Sequence, residues 1–93
     1  MECYVALFLV SYDIIEGNSY DAIIDELKRL GAVRTQRSTY FASVTTDSAP
    51  GFLQHLKKFV DPEDRLMVIK LTEKPAHTVG LKGTNAWLEE HFG

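Results

Sequence analysis

Asp13, Arg34 and Arg37 are the residues from which chemistry in this chain would start. Asp13 lies near the end of Cys3-Tyr4-Val5-Ala6-Leu7-Phe8-Leu9-Val10-Ser11-Tyr12-Asp13-Ile14-Ile15, which is apolar without a break from Cys3 to Val10. Rich in β-branched and aromatic residues and too short to span a bilayer, this stretch reads as a strand buried on both faces. A carboxylate at the exit of such a strand is held rigidly in place. The plainer reading is that Asp13 caps the following turn by accepting backbone N–H bonds two residues on. The arginines belong to a sharp change in charge. Residues 1–27 hold six acids and no Lys or Arg, whereas the next ten positions hold Lys28, Arg29, Arg34 and Arg37. A phosphate-binding surface would therefore centre on the end of the first helix and the strand after it. The alternative is a solvated face with intramolecular ion pairs.

Other reactive residue types form no recognisable constellation. Ser38 has no histidine arranged with it and reads as a turn hydroxyl rather than a nucleophile. His55 falls between Leu53 and Leu56 and reads as a boundary residue, while His77 and His91 stand apart in the tail, so the three do not make a zinc site. Tyr12, beside Asp13 on a strand, must point to the opposite face and reads as packing. Phe8, Phe41 and Phe52 are expected in the core.

Ninety-three residues make one domain with a single modest core. No run approaches the roughly 20 apolar residues of a bilayer crossing, and the start Met-Glu-Cys-Tyr lacks the basic flank of a secretory signal. The lone Cys3 forms no internal disulfide, and a cytoplasmic location is expected. A net charge of −3 argues against an indiscriminate nucleic-acid binder.

The elements that must position these residues follow from periodicity. Glu16-Gly17-Asn18-Ser19 is a turn, with Asn18 or Ser19 as helix cap. Tyr20, Ile23, Ile24, Leu27 and Leu30 then recur at helical spacing, Asp21, Asp25, Glu26, Lys28 and Arg29 take the other face, and Gly31 ends the helix. Residues 33–46 turn to strand character, dividing into two short strands near Arg37-Ser38. Asp47-Ser48 with Pro50 starts a second helix whose apolar stripe is Phe52, Leu53, Leu56, Phe59 and Val60. Asp61-Pro62-Glu63-Asp64 is a turn, and residues 66–71 form the last core strand.

The order strand, helix, strand, strand, helix, strand predicts an α+β, ferredoxin-like βαββαβ sandwich with both helices on one face and strand one central. Residues 1–74 make this core. Residues 75–93 make a C-terminal extension, with an edge strand near 76–79 and a short helix over 85–92 capped by Thr84, burying Trp87, Leu88 and Phe92. The extension is expected to pack on the core or on a second subunit.

This layout resembles the small second Cas family, the CRISPR-associated protein at the dimeric centre of the spacer-acquisition complex. The resemblance rests on Val10-Ser11-Tyr12-Asp13-Ile14, Leu30-Gly31, Arg34-Thr35-Gln36-Arg37-Ser38-Thr39-Tyr40-Phe41, and Phe59-Val60-Asp61-Pro62-Glu63-Asp64-Arg65-Leu66, in that order and spacing. Gly80-Leu81-Lys82-Gly83 and Trp87-Leu88 make it closer to the CRISPR-independent, SinR-like branch. In fold, the virulence-associated D ribonucleases are more distant relatives.

The resemblance implies a two-fold homodimer in which Asp13 is the catalytic metal ligand, facing its symmetry mate and holding Mg2+ or Mn2+ for phosphodiester hydrolysis of RNA or DNA. Arg34 and Arg37 would then contact the nucleic-acid backbone. The CRISPR-associated members commonly carry basic residues soon after the Tyr-Asp turn and along helix one, where this chain has Glu16, Asp21, Asp25 and Glu26. Two rival readings stay open: a non-catalytic dimeric interaction module that binds a protein partner, and a toxin-type ribonuclease like the virulence-associated D proteins.

Overall fold

A computed structural model describes residues 5–46 and 48–93. The expected beginning of the first strand at Cys3 and the part given to Asp47 in starting the second helix lie outside them. The elements run β1 (Ala6–Asp13), α1 (Asp21–Arg29), β2 (Val33–Gln36), β3 (Thr39–Val44), α2 (Ala49–Leu56), β4 (Arg65–Lys70) and α3 (Thr84–Phe92). The strands form one sheet in the order β2-β3-β1-β4, antiparallel at every pairing. This α+β arrangement is compatible with the ferredoxin-like sandwich, and β1 is central as its apolar run demands.

Alternation along β1 divides the molecule into two layers. Ala6, Phe8, Val10 and Tyr12 point to one face, where they pack with Ile23 and Leu27 of α1 and Phe52 and Leu56 of α2. Leu7, Leu9, Ser11 and Asp13 point to the other. That outer face is only partly covered, which corrects the expectation of a strand buried on both sides. α3 lies over the β2–β3 half, with Trp87 stacked on Phe41 at 4.8 Å between ring centroids and an interplanar angle of 16°. Over β4 nothing among the described residues covers Met67 and Ile69, which remain 59 % and 47 % exposed.

The starts of α1 and α2 follow local chemistry, that of α1 differently from expectation. At α2 the Ser48 hydroxyl accepts the Gly51 N–H at 3.0 Å and Pro50 sits in the first turn. At α1 the cap position is Tyr20, whose side chain makes no capping bond and whose hydroxyl donates to the Ile14 carbonyl at 3.5 Å. Ser19 instead accepts the Asp21 N–H, and Asn18 turns away to Asp64. α1 ends as its glycine predicts. Gly31 has φ +75°, and the Gly31 and Ala32 amides donate to the Lys28 and Leu27 carbonyls in a Schellman motif. α2 is shorter than its apolar stripe suggests. It tightens into a 3₁₀ turn over Lys57–Phe59, and Val60 is already extended ahead of Asp61-Pro62.

The tail carries the chain from the β4 edge to the β2 edge. No strand forms at 76–79, because Val79 takes a φ of +47° that no strand accommodates. In its place the Leu81 N–H donates to the Thr35 carbonyl at 2.9 Å, and the Thr84 hydroxyl donates to the buried Thr35 hydroxyl at 2.8 Å. Gly80 permits this close approach: a Cβ there would lie 2.7 Å from Thr84 Cγ2. α3 thus docks on its own sheet, one residue longer at its start than expected, with Trp87 and Leu88 buried.

Candidate functional site

Asp13 is the last residue of β1 and points to the uncovered outer face. Because β1 and β4 run antiparallel in register, it stands opposite Arg65, the first residue of β4. Arg65 Nη1 donates to Asp13 Oδ2 at 3.0 Å, an ion pair whose side chains are 80 % and 66 % exposed. Among the described residues no backbone N–H of its own turn donates to Asp13. The capping falls to Asp64, whose carboxylate accepts the Ile15 N–H at 2.9 Å, the Asn18 side-chain amide at 3.0 Å and the Asp61 N–H at 2.9 Å. These bonds, led by the one from Asn18, hold the Asp64 carboxyl below the usual carboxylate range. The loop leaving Asp13 is thus stapled to the loop entering β4, which gives the Asp13 carboxylate a defined station at the end of the Met67–Ile69 strip.

Arg34 and Arg37 lie elsewhere. Arg34 pairs across the ladder with Tyr40, whose ring belongs to the helix-covered core, so Arg34 projects on that face. Its Nε and Nη2 both donate to the Arg37 carbonyl oxygen, at 3.0 and 2.6 Å. Residues 34 and 37 differ in strand parity. A register shift between Arg34 and Gln36, followed by the Arg37-Ser38 turn, nevertheless brings them to one concavity, with Tyr12, Tyr20, Ile24 and Ser38. Within one chain, Asp13 and this pair occupy opposite faces of the sheet.

A third cluster joins the helices. Glu26, expected on the polar face of α1, is only 5 % exposed. Arg29 Nε and Nη2 each donate to it at 2.6 Å, and His55 Nε2 lies 2.5 Å from its Oε2. The Arg29 bonds outweigh burial, which opposes them, and with His55 they hold the Glu26 carboxyl down at about 2. The cluster clamps α1 to α2.

Arg65, Asp64 and Glu26 had no place among the expected site residues. The Arg65 contact had one signal. If β1 and β4 are antiparallel neighbours, the last residue of one meets the first of the other. The role of Glu26 depends on where α2 docks, which α1's own pattern does not encode.

Among the described residues no group of three or more His, Cys, Asp or Glu side chains is placed to hold a metal ion. Asp13 alone is a poor donor set. Magnesium takes one or two carboxylates and otherwise keeps its waters, so the set fits such an ion only if a second chain supplies another Asp13. Among the described residues no helix is long and apolar enough to cross a membrane.

No solved structure matches the chain. The family model for CRISPR associated protein Cas2 matches residues 6–79, from the first residue of β1 into the tail, and the chain belongs to that family.

Proposed function

We propose that the protein acts as a Cas2-type homodimer that hydrolyses phosphodiester bonds in RNA or DNA, with Asp13 of each protomer at the interface. The observation that carries this reading is that Asp13 shares the outer face with the exposed Met67 and Ile69. Pairing two copies through that strip would shield its apolar surface and bring two carboxylates towards one axis. Mg2+ or Mn2+ held there would polarise a phosphoryl oxygen and lower the pKa of an attacking water. Arg34 and Arg37, on the other face, would contact the backbone of a longer strand. The Gly80–Gly83 turn and the Trp87-Leu88 helix support a place in the CRISPR-independent, SinR-like branch.

The Asp13–Arg65 pair favours a second reading, a non-catalytic dimeric module. A guanidinium already bound to the carboxylate competes with a metal ion for it. Cleavage of labelled single-stranded RNA and duplex DNA with Mg2+ or Mn2+ separates the two readings. Metal-dependent cutting lost in Asp13→Asn is the result expected of a nuclease. A wild-type dimer that cuts neither substrate supports the module, and cutting unchanged in Asp13→Asn removes Asp13 from the chemistry.

A further inference from the structure

On the helix-covered face, across the sheet from the Asp13 side chain, a concave site of about 330 Å³ opens between the start of α1 and the β2–β3 turn, lined by Tyr12, Tyr20, Ile24, Arg34, Arg37 and Ser38. Its volume falls within the range of small-ligand pockets, roughly 300–1,000 Å³. Its two walls differ in chemistry. One is aromatic and apolar: the buried Tyr12 ring and the partly exposed Tyr20 ring, 5.8 Å apart between centroids, with Ile24 beside them. The other is cationic and hydroxylic, and among the described residues no carboxylate lines the site.

The cationic wall is partly pre-organised. Arg34 commits Nε and Nη2 to the Arg37 carbonyl, which fixes the plane of its guanidinium and leaves Nη1 free of that contact. The Arg37 guanidinium has no hydrogen bond or ion pair among the described residues, in a chain whose Arg29 and Arg65 are both paired with carboxylates. Burial, reinforced by Tyr40, raises the Tyr12 hydroxyl, which stays neutral beside these cations. An aromatic wall facing guanidinium groups complements a planar ring that carries a phosphate.

We infer that this pocket holds one nucleoside monophosphate unit, free or at the end of a single strand, with its base against Tyr20 and its phosphate at Arg37 and Arg34 Nη1. The inference rests on the reading of Arg34 and Arg37 as phosphate contacts and sharpens it to one nucleotide. It does not depend on cleavage at Asp13.

Isothermal titration calorimetry in the presence of EDTA tests it, using AMP, adenosine, inorganic phosphate and a short 5′-phosphorylated single-stranded oligonucleotide. AMP should bind one per chain, at least about ten-fold more tightly than adenosine or phosphate alone. Arg37→Gln should weaken AMP about ten-fold or more, as expected for losing one charged contact. Tyr20→Ala should weaken AMP while leaving phosphate unmoved, and Asp13→Asn should bind as wild type does. Equal affinity for AMP and the oligonucleotide assigns the site to the free nucleotide. Tighter binding of the oligonucleotide that is still lost in Arg37→Gln assigns it to a strand end. Absence of saturable binding by either, or binding that Arg37→Gln and Tyr20→Ala leave unchanged, overturns the inference. Cleavage failing in Asp13→Asn while AMP binding persists would separate the two sites.

Discussion

Arg65 stands directly across the ladder from Asp13 and holds its carboxylate at 3.0 Å, on the sheet face that carries the exposed Met67 and Ile69. The pair is exposed on both sides, so its contribution to stability is small, about 0–1 kcal/mol. Its consequence is chemical: any ligand of Asp13 has to displace or share a guanidinium.

Arg65→Gln should therefore leave the melting temperature nearly unchanged while strengthening binding of Mn2+ to the dimer. Thermal unfolding and Mn2+ titration followed by electron paramagnetic resonance check both halves. Mn2+ affinity unaffected by Arg65→Gln, or unaffected by Asp13→Asn, would remove Asp13 as a ligand.

The exposed strip on β4 makes a separable prediction. Ile69→Lys places a charge on the outer face beside Leu9 without touching the helix-covered core. Light scattering at micromolar concentration should show a dimer for the wild type and a monomer for Ile69→Lys, with little change in far-UV circular dichroism. A wild-type monomer would sink the shared-site reading, since one Asp13 supplies too few ligands.

Glu26 gives the fold a defined acid limit. Its folded-state carboxyl lies at about 2, below its ordinary 4.5, so the folded state favours the ionised form. The resulting stability is fully present above about 4.5 and is lost as pH falls towards 2. Glu26→Gln should cost about 1–3 kcal/mol at neutral pH. The gap between its denaturation midpoint and that of the wild type should close as the solution is acidified. A gap that persists to pH 2 would show that the clamp acts through packing rather than charge.

Trp87 joins the tail to the sheet. Trp87→Ala empties the stack on Phe41 and should cost about 3–5 kcal/mol. Hydrogen exchange should show the α3 amides losing protection before those of β1 and β3. Uniform loss across the sheet would mean that α3 belongs to the cooperative core rather than being docked on it.

Much of the fold was legible because single residues carry it. The apolar run before Asp13 forces a central strand, Ser48 and Pro50 start α2, and Gly31 supplies the left-handed residue that stops α1. Trp87-Leu88 marks a tail helix that must find an apolar surface. Residues 76–79 do not form the expected edge strand, because alternation alone cannot show that Val79 adopts a left-handed backbone while Leu81 and Thr84 hook onto Thr35.

The candidate site divides along the same line. From sequence alone came the place of Asp13 at a rigid strand end and the concentration of arginines after α1, since both depend only on local pattern. Tertiary structure alone decided that Arg65 engages Asp13, that Arg34 and Arg37 face away from it, and that Glu26 is buried against His55. Those relationships are set by strand register and by which helix covers which face. They bring together residues far apart in the chain, and local pattern says nothing about such distances.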